Sequence, residues 1–229
     1  MTTDSSVLSR FAGLASATVS DALESLGLSP GQGGIKPLWG RPKLVGFAAT
    51  VQLEPMTTES KQGGSHILTS AIAEAGSDNV MVVANGGRTD VSCWGGLVSL
   101  GASLRGIRGV VADGACRDVG EARDLAFPVY GRGSVPVTAR GRLRQVSASE
   151  PVKLGEVTIC PGDLVLADET GVAVVPRDHI EDVLDAALAI EAREEAIAAD
   201  VRAGVPLPEA MLDARLTGTS GRADDDRHV

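Results

Sequence analysis

The residues best suited to chemistry follow a short apolar segment, residues 107–112, near the middle of the 229-residue chain. Arg117, Asp118 and Glu121 come within a few positions of its end. Because ligands of α/β proteins bind beyond the carboxyl ends of strands, a site is expected here. An Asp carboxylate is a hard ligand for Mg²⁺ or Mn²⁺, and an Arg guanidinium can bind a substrate carboxylate. The competing interpretation is an Arg–Asp pair that caps a helix over 119–125, and spacing alone favours it.

A second candidate segment precedes this one and comprises Gly95, Gly96, Leu97 and Val98. These residues begin a predicted helix over 94–105, where glycines would let backbone N–H groups approach an anion closely. A glycine-rich turn that only connects two elements explains the segment equally well. Neither GxGxxG nor GxxxxGK[ST] occurs in this turn, so it does not indicate nucleotide binding.

Histidine and cysteine offer little alternative chemistry. The three histidines show no HxxxH or HxH spacing, which argues against a histidine metal site or a Ser-His-Asp triad. The three cysteines, Cys93, Cys116 and Cys160, show no CxxC spacing, so neither a thiolate zinc site nor a disulfide framework is expected. A reducing cytosol fits this usage best, and Cys116 is predicted to be a buried, inert thiol.

The composition argues against several classes of partner. The chain has 30 Asp and Glu against 21 Lys and Arg, a net charge of −9, and only 3% of its residues are aromatic. Because a nucleic-acid binder is normally basic or presents rings for stacking, no nucleic-acid partner is predicted. The chain lacks a signal-peptide pattern at its start and an apolar run of about 18 residues. We therefore expect a cytoplasmic protein with no membrane partner.

The elements that must position these residues alternate in type through the first half of the chain. Strands are predicted over 45–53, 80–84, 107–112 and 127–130, and helices over 16–27, 94–105 and 119–125. This alternation indicates an α/β fold with a parallel or mixed sheet covered by helices. The first of these helices is predicted to bury Val19, Leu23 and Leu26 and to end at Gly27.

The second half is predicted to add antiparallel β structure and one long helix. Short strands are expected over 143–147, 156–159, 163–167 and 171–175. The long helix spans about 177–202, and its predicted apolar side carries Val183, Leu184, Leu188 and Ile197. Acidic residues on this helix, including Glu194 and Glu195, form a solvated face unless the helix reaches another subunit. Residues 1–215 are expected to form one domain, and 216–229 a disordered tail.

The spacing of the candidate site residues resembles that of a known family. Gly96, twenty intervening residues, Arg117-Asp118, two further residues and Glu121 match the pattern G-x20-R-D-x2-E/D. This pattern marks the class II pyruvate aldolases of the 4-hydroxy-4-methyl-2-oxoglutarate and 4-carboxy-4-hydroxy-2-oxoadipate type, and the related RraA-like proteins. Segments 17–23, 110–114 and 161–176 are also similar to the family, so the resemblance covers roughly residues 14–215.

The resemblance implies a swivelling β/β/α sandwich, the RraA-like fold, assembled as a homotrimer or homohexamer with its sites between subunits. A long C-terminal helix would pack on a neighbouring subunit. Asp118 would hold Mg²⁺, or alternatively Mn²⁺ or Co²⁺, while Arg117 would bind the 2-keto acid substrate and stabilise its enolate. The backbone of Gly95–Val98 would bind the pyruvyl carboxylate. Glu194 or Glu195 of the neighbour would hold metal-bound water.

The activity implied by the resemblance is that of a metal-dependent lyase. It would cleave a 4-hydroxy-2-oxo dicarboxylate or tricarboxylate by a retro-aldol reaction to pyruvate and a second carbonyl acid, and would also decarboxylate oxaloacetate. No Schiff-base lysine is needed, and none of the four lysines lies in the motif. Gly96 stands where such aldolases commonly carry an acidic or polar residue. The alternative function is an RraA-type regulator that binds a ribonuclease without catalysis.

Overall fold

A computed structural model of the protein describes residues 4–57, 66–212 and 215. The helices of this part of the chain are α1 (Asp4–Gly13), α2 (Ser16–Ser25), α3 (Thr69–Glu74), α4 (Gly96–Leu104), α5 (Val119–Asp124), α6 (Ile180–Arg202) and α7 (Leu207–Ala210). Its strands are β1 (Lys36–Pro37), β2 (Leu44–Pro55), β3 (Asn79–Trp94), β4 (Gly109–Cys116), β5 (Val129–Gly131), β6 (Gly133–Ser134), β7 (Leu143–Ala148), β8 (Val152–Leu154), β9 (Val157–Ile159), β10 (Leu164–Ala167) and β11 (Val172–Val175).

One large mixed sheet organises the molecule, and its strand order is β1-β5-β4-β3-β2-β10-β11. Strands β2, β3, β4 and β5 run parallel to one another. Strands β1, β7, β10 and β11 pair antiparallel to their neighbours, β6 also pairs with β4, and β8 and β9 form a separate hairpin. The predicted α/β fold, with antiparallel structure added by the second half of the chain, is confirmed.

Helices α3, α4 and α5 cover one face of the parallel strands. Their apolar residues, among them Ile72, Val98 and Ala122, pack with Met81 and Val110 in one core cluster. A second cluster joins α1, α2 and α6 to β2, β10 and β11. Strand β4 lies between layers and is buried at every residue, as expected for a parallel strand covered on both sides. The carboxyl end of β4 is therefore a rigid support.

Helix α2 ends close to where the sequence predicts. Gly27 adopts a left-handed φ of +71°, and the Leu28 N–H donates to the Leu23 carbonyl at 2.9 Å, which closes the helix. Val19 and Leu23 are buried as predicted. The prediction for Leu26 is wrong: this side chain is 44% exposed, because it lies beyond the last helical turn.

The predicted long helix is α6, which follows a single 3₁₀ turn at Arg177–His179. It packs against α2, and Val183, Leu184 and Ile197 are buried as expected. Leu188 is 36% exposed, so its assignment to the buried side is wrong. Among the described residues, no helix is long and apolar enough to cross a membrane. The predicted tail, residues 216–229, lies outside the described residues.

Candidate functional site

The two candidate segments leave the sheet side by side. Strand β3 ends at Trp94 and β4 ends at Cys116, and these two residues are partners in the parallel ladder. The Arg117 N–H donates to the Trp94 carbonyl at 2.9 Å, which ties the start of one segment to the start of the other. The sheet therefore brings together residues that are more than twenty positions apart in the sequence.

Asp118 reaches back over the start of α4. Its Oδ2 accepts a hydrogen bond from the Gly96 N–H at 3.0 Å and lies 3.2 Å from Arg117 Nε. Both side chains of the Arg117–Asp118 pair are about one third exposed, at 38% and 34%. Asp118 precedes α5 but makes no side-chain cap to it. The interpretation of this pair as a cap of the helix over 119–125 is therefore wrong, because the carboxylate caps α4 instead.

The backbone of Asp118 is itself unusual. Its φ of 56° and ψ of 36° place it in the left-handed region, which few residues other than Gly, Asn and Asp occupy. This conformation bends the chain between β4 and α5 so that the carboxylate turns toward α4. The position of the functional group is thus fixed by a backbone bend as well as by its hydrogen bond.

A buried contact holds the β3–α4 turn from behind. The Trp94 Nε1 donates to Ser99 Oγ at 2.8 Å, and this hydroxyl donates to the Gly95 carbonyl at 3.0 Å. The Trp94 ring also stacks on Phe127, with centroids 6.1 Å apart and an interplanar angle of 5°. Because Trp94 and Ser99 are buried, these contacts are protected from water and fix the direction in which α4 begins.

The first turn of α4 offers backbone donors beside the Arg–Asp pair. The Ser99 N–H donates to the Gly95 carbonyl at 3.0 Å, so the N–H groups of Leu97 and Val98 precede the first hydrogen bond within the helix. The Leu97 side chain is 83% exposed and leaves the helix end open. Such a helix start favours a negatively charged group, such as the carboxylate of a ligand.

Gly95 and Gly96 are necessary because other side chains fill the space beside them. A Cβ added at Gly95 would lie 3.0 Å from Asp118 Oδ2. A Cβ added at Gly96 would lie 1.8 Å from Glu121 Oε2 and 3.2 Å from Asp118 Cβ. The Glu121 carboxylate therefore sits directly over Gly96 and next to Asp118.

The prediction of site residues omitted this second carboxylate. Glu121 belongs to the G-x20-R-D-x2-E/D motif, but the motif alone does not indicate what this residue does. The available signal was Gly96 itself, since the resemblance implies an acidic or polar residue at this position and Gly96 has no side chain. In the folded chain, Glu121 on α5 occupies the space that such a side chain would need.

The residues of this site fit Mg²⁺ better than zinc. Among the described residues, no three His, Cys, Asp or Glu side chains are grouped so that they could hold a metal ion. Asp118 and Glu121 offer two carboxylates, both on exposed residues that water can reach. Mg²⁺ commonly binds one or two carboxylates and keeps several waters, whereas structural zinc takes four protein ligands. Mn²⁺ favours the same oxygen ligands.

Glu194 and Glu195 do not join this site within one chain. Both are exposed residues on α6, a helix that packs against α2 rather than forming part of the α4–α5 layer. Within the described part of the chain, no hydrogen bond or ion pair links either glutamate to Arg117 or Asp118. Their predicted role depends on a second copy of the chain.

The thiols near the site do not provide a nucleophile. Cys93 and Cys116 are buried, as predicted for Cys116, and Cys160 is exposed. A hydrogen bond with the Cys93 thiol, together with burial, raises the pKa of Cys116 well above its usual value. A thiol in this state is protonated at neutral pH and does not attack a substrate.

Comparison with known proteins identifies the family to which the chain belongs. The sequence matches the RraA-like family, described as Aldolase/RraA, over residues 16–174, which is more than half of the chain. The chain belongs to the RraA-like family. The resemblance inferred from the G-x20-R-D-x2-E/D spacing is therefore confirmed. The family includes proteins named as aldolases and proteins named after a ribonuclease inhibitor, so membership alone does not distinguish catalysis from regulation.

Two curated relatives and one solved structure illustrate this range. A putative 4-hydroxy-4-methyl-2-oxoglutarate aldolase of Halalkalibacterium halodurans is 34% identical over 86% of this chain and 90% of its own length. Protein DlpA of Legionella pneumophila is 34% identical over 86% of this chain, which spans only 32% of DlpA. The structure of Streptomyces coelicolor RraAS2, an unusual member of the RNase ES inhibitor RraA family, has a TM-score of 0.78 and 28% identity. That match covers 88% of this chain and 99% of RraAS2.

Proposed function

We propose that this RraA-like protein is a divalent-metal-dependent lyase. Its reaction is retro-aldol cleavage of a 4-hydroxy-2-oxo dicarboxylate or tricarboxylate to pyruvate and a second carbonyl acid, with oxaloacetate decarboxylation as a side activity. One observation carries the proposal: Arg117, the Asp118 carboxylate and the first N–H groups of α4 converge on a single turn. The aldolase name of a relative that aligns over 86% of the chain supports the same reaction.

The α4 turn suits the carboxylate of a 2-keto acid. The N–H groups of Leu97 and Val98 donate to the substrate carboxylate, which the positive end of the helix also attracts. Gly95 and Gly96 carry no side chain, so the substrate approaches the backbone closely. Arg117 lies beside this position, with its Nε 3.2 Å from Asp118 Oδ2. Its other N–H groups can donate to the neighbouring keto oxygen.

Arg117 acts on the charge that develops during cleavage. When the C–C bond breaks, the electron pair stays on the pyruvyl half and delocalises onto the keto oxygen as an enolate. The guanidinium donates hydrogen bonds to this oxygen, and loss of one such preorganised donor costs on the order of 100-fold or more in turnover. Asp118 and Glu121 are the residues that would hold Mg²⁺, Mn²⁺ or Co²⁺. When bound, such an ion would act as a Lewis acid toward the substrate carbonyl.

The site of one chain is completed by a second copy in a homotrimer or homohexamer. Glu194 and Glu195 lie on α6, apart from the α4–α5 layer, and their exposed carboxylates are available to a neighbour. Helix α4 also exposes Leu97, Leu100 and Leu104 on one face beside the site. An apolar stripe of this kind is typical of a surface that another protein covers. In this arrangement one of the two glutamates would hydrogen-bond to water in the site, next to the carboxylates that would hold the metal.

A pyruvate-release assay tests the lyase proposal. The purified chain is stripped with EDTA and assayed with 4-hydroxy-4-methyl-2-oxoglutarate, 4-carboxy-4-hydroxy-2-oxoadipate and oxaloacetate, with and without added Mg²⁺, Mn²⁺ or Co²⁺. We expect release that requires the metal and is lost in Asp118→Asn, which removes the charge but keeps the shape. Absence of metal-dependent pyruvate release from every substrate would contradict the proposal.

Complementation between variants tests the shared site. Asp118→Asn and the double variant Glu194→Gln/Glu195→Gln are each expected to be inactive. After subunit exchange in a 1:1 mixture, random assembly pairs an intact Asp118 with an intact glutamate at about a quarter of the sites. Recovery of about a quarter of wild-type activity is therefore expected. A mixture that stays inactive although mass spectrometry shows mixed oligomers would refute the shared site.

A second candidate function is regulation of a ribonuclease by protein contact. The likeness to RraAS2, whose family is named after inhibition of an RNase, favours it. This function uses the surface of the protein rather than its metal site. A ribonuclease assay with wild type and Asp118→Asn separates the two functions, because a regulator would inhibit equally well in both forms.

A further inference from the structure

Asp113 and Arg132 form a second charged pair at the carboxyl end of β4, on the sheet face opposite to α4 and α5. On that face Val111 shares a core cluster with Leu154 of the β8–β9 hairpin. Because side chains alternate along a strand, Asp113 points to the same face as Val111. The Gly155 N–H, between β8 and β9, accordingly donates to Asp113 Oδ2 at 3.5 Å. The pair is therefore separate from the proposed lyase site.

Asp113 holds one side of the Arg132 guanidinium in place. Arg132 Nε lies 2.5 Å from Asp113 Oδ1, and the Asp113 side chain is only 4% exposed. The Arg132 backbone N–H donates to the Gly114 carbonyl at 2.9 Å, which fixes the start of the side chain. Within the described part of the chain, Nη1 and Nη2 make no hydrogen bond, and the Arg132 side chain is 27% exposed. The outer edge of the guanidinium is thus oriented and reachable from solvent.

Glycines from three different segments surround this guanidinium. Gly34, Gly87 and Gly155 all have a left-handed φ, at +77°, +71° and +61°. A Cβ added at Gly34 would lie 3.0 Å from Arg132 Nη1, and one at Gly87 would lie 3.6 Å from Nε. Larger residues at these positions would therefore crowd the guanidinium, whereas glycine leaves its outer edge uncovered.

Gln32 adds an uncharged polar group beside the same edge. A Cβ added at Gly155 would lie 2.7 Å from Gln32 Oε1 and 3.9 Å from Arg132 Nη2, so the amide and the guanidinium flank one place. The Gln32 backbone exchanges hydrogen bonds with Val172 at 2.6 and 3.0 Å, which fixes the position of this residue. Its side-chain amide bonds to none of the residues that the structure describes, so it is available to a ligand.

We propose that Arg132 and Gln32 form a binding site for a small carboxylate, distinct from Arg117 and Asp118. The Nη1 and Nη2 groups present parallel N–H donors to the two carboxylate oxygens, and the Gln32 amide donates to one of them. Asp113 already balances the charge of Arg132. A phosphate dianion would therefore bring two negative charges close to a buried carboxylate, whereas a carboxylate ligand brings one. This inference does not rest on the proposed lyase function.

Binding is measured on an Arg117→Ala background, which disables the proposed lyase site. The EDTA-treated protein is titrated with malonate and followed by saturation-transfer NMR of the malonate protons. We expect saturable binding with a dissociation constant on the order of 1 mM. Inorganic phosphate at matched ionic strength should compete about tenfold less effectively than unlabelled acetate or succinate, because the site takes a carboxylate.

Variants on this background assign the binding to Arg132. Arg132→Lys keeps a positive charge beside Asp113 but lacks the two-pronged edge, so malonate affinity should fall about tenfold or more. Gly34→Ala leaves the ion pair intact and places a methyl group against Nη1, and it should weaken binding similarly. Gly141→Ala is the matched control, because Gly141 has a φ of +73° and a Cβ there would have no neighbour within 4 Å. It carries the same backbone strain and should bind malonate normally.

Each other outcome contradicts the proposal. Absence of saturable malonate binding would show that the Asp113–Arg132 pair is only structural. Binding that is unchanged in both Arg132→Lys and Gly34→Ala would place the ligand elsewhere, and melting temperatures confirm that the variants are folded. If Arg132→Lys does not fold, Gly34→Ala against Gly141→Ala decides the question. Phosphate binding tighter than malonate binding would overturn the assignment to carboxylates.

Discussion

Replacement of Gly96 by Ala tests whether the Glu121 carboxylate works at the start of α4. The new Cβ would lie 1.8 Å from Glu121 Oε2. An ordinary van der Waals contact begins at 3.4 Å, so this oxygen must withdraw by about 1.6 Å. Glu121 is exposed and flexible, so it moves without disturbing the core. We therefore expect a small change in stability but a loss of roughly 100-fold in kcat/KM, because displacement of this size disrupts a preorganised site.

The same substitution elsewhere in α4 provides a matched control. Gly101 lies within the same helix, and a Cβ added there would have no neighbour within 4 Å. Gly101→Ala should leave metal-dependent pyruvate release unchanged and stabilise the helix by about 0.5–1 kcal/mol. Steady-state kinetics at several Mg²⁺ concentrations and melting temperatures are measured for both variants. The Mg²⁺ concentration that gives half-maximal activity should rise for Gly96→Ala alone.

Moving the second carboxylate from α5 to α4 also tests the role of Glu121. In Gly96→Asp/Glu121→Ala the acidic group comes from α4, and the space that Glu121 occupied is free. This double variant should recover much of the activity that Glu121→Ala loses, if the site needs a second carboxylate at this place. Wild-type kcat/KM and Mg²⁺ dependence in Gly96→Ala would refute the role assigned to Glu121.

Two further variants separate catalysis from structure. Arg117→Lys should lose nearly as much turnover as Arg117→Ala, because a single ammonium cannot replace the two-pronged, planar guanidinium. A near wild-type kcat in the Lys variant would show that Arg117 is not catalytic. Asp168→Asn should lower the unfolding free energy by about 1–2 kcal/mol at pH 7, since Asp168 accepts hydrogen bonds from the Ser16 N–H at 2.7 Å and hydroxyl at 2.6 Å. Burial acts to raise the pKa of Asp168, but these hydrogen bonds outweigh it and the pKa is lowered. The stabilisation is therefore present above pH ~4 and lost as the pH falls further. The melting temperatures of wild type and Asp168→Asn should accordingly converge in acid. A difference in melting temperature that stays constant with pH would contradict this account.

Local sequence patterns predicted most of the helices and strands described here. Alternation of apolar strands with helical segments depends on neighbouring residues. It placed α2, α4, α5 and α6 close to their actual bounds and the parallel strands close to their actual starts. It missed α1 entirely. It also placed a strand over 80–84, whereas β3 continues to Trp94. Gly86 and Gly87, both with left-handed φ, shift the register of β3 against β4, and a regular alternation pattern does not describe such an irregularity.

The site was only partly predictable, because some of its features depend on contacts between distant elements. The motif supplied Arg117, Asp118 and the Gly95–Val98 turn, and the structure brings these segments together. The position of Glu121 over Gly96 follows from the packing of α5 against α4, which no local pattern encodes.

The left-handed backbone at Asp118 has a consequence for which amino acids this position tolerates. Gly, Asn and Asp tolerate this conformation, whereas a residue such as Ala there costs about 1 kcal/mol or more. Asp118→Ala therefore mixes a backbone effect with the loss of charge. Asn tolerates the same backbone conformation, so Asp118→Asn removes the negative charge without this backbone cost. In a library scored separately for folding and for lyase activity, Asn at position 118 should score well for folding and poorly for activity, whereas Ala should score poorly for both.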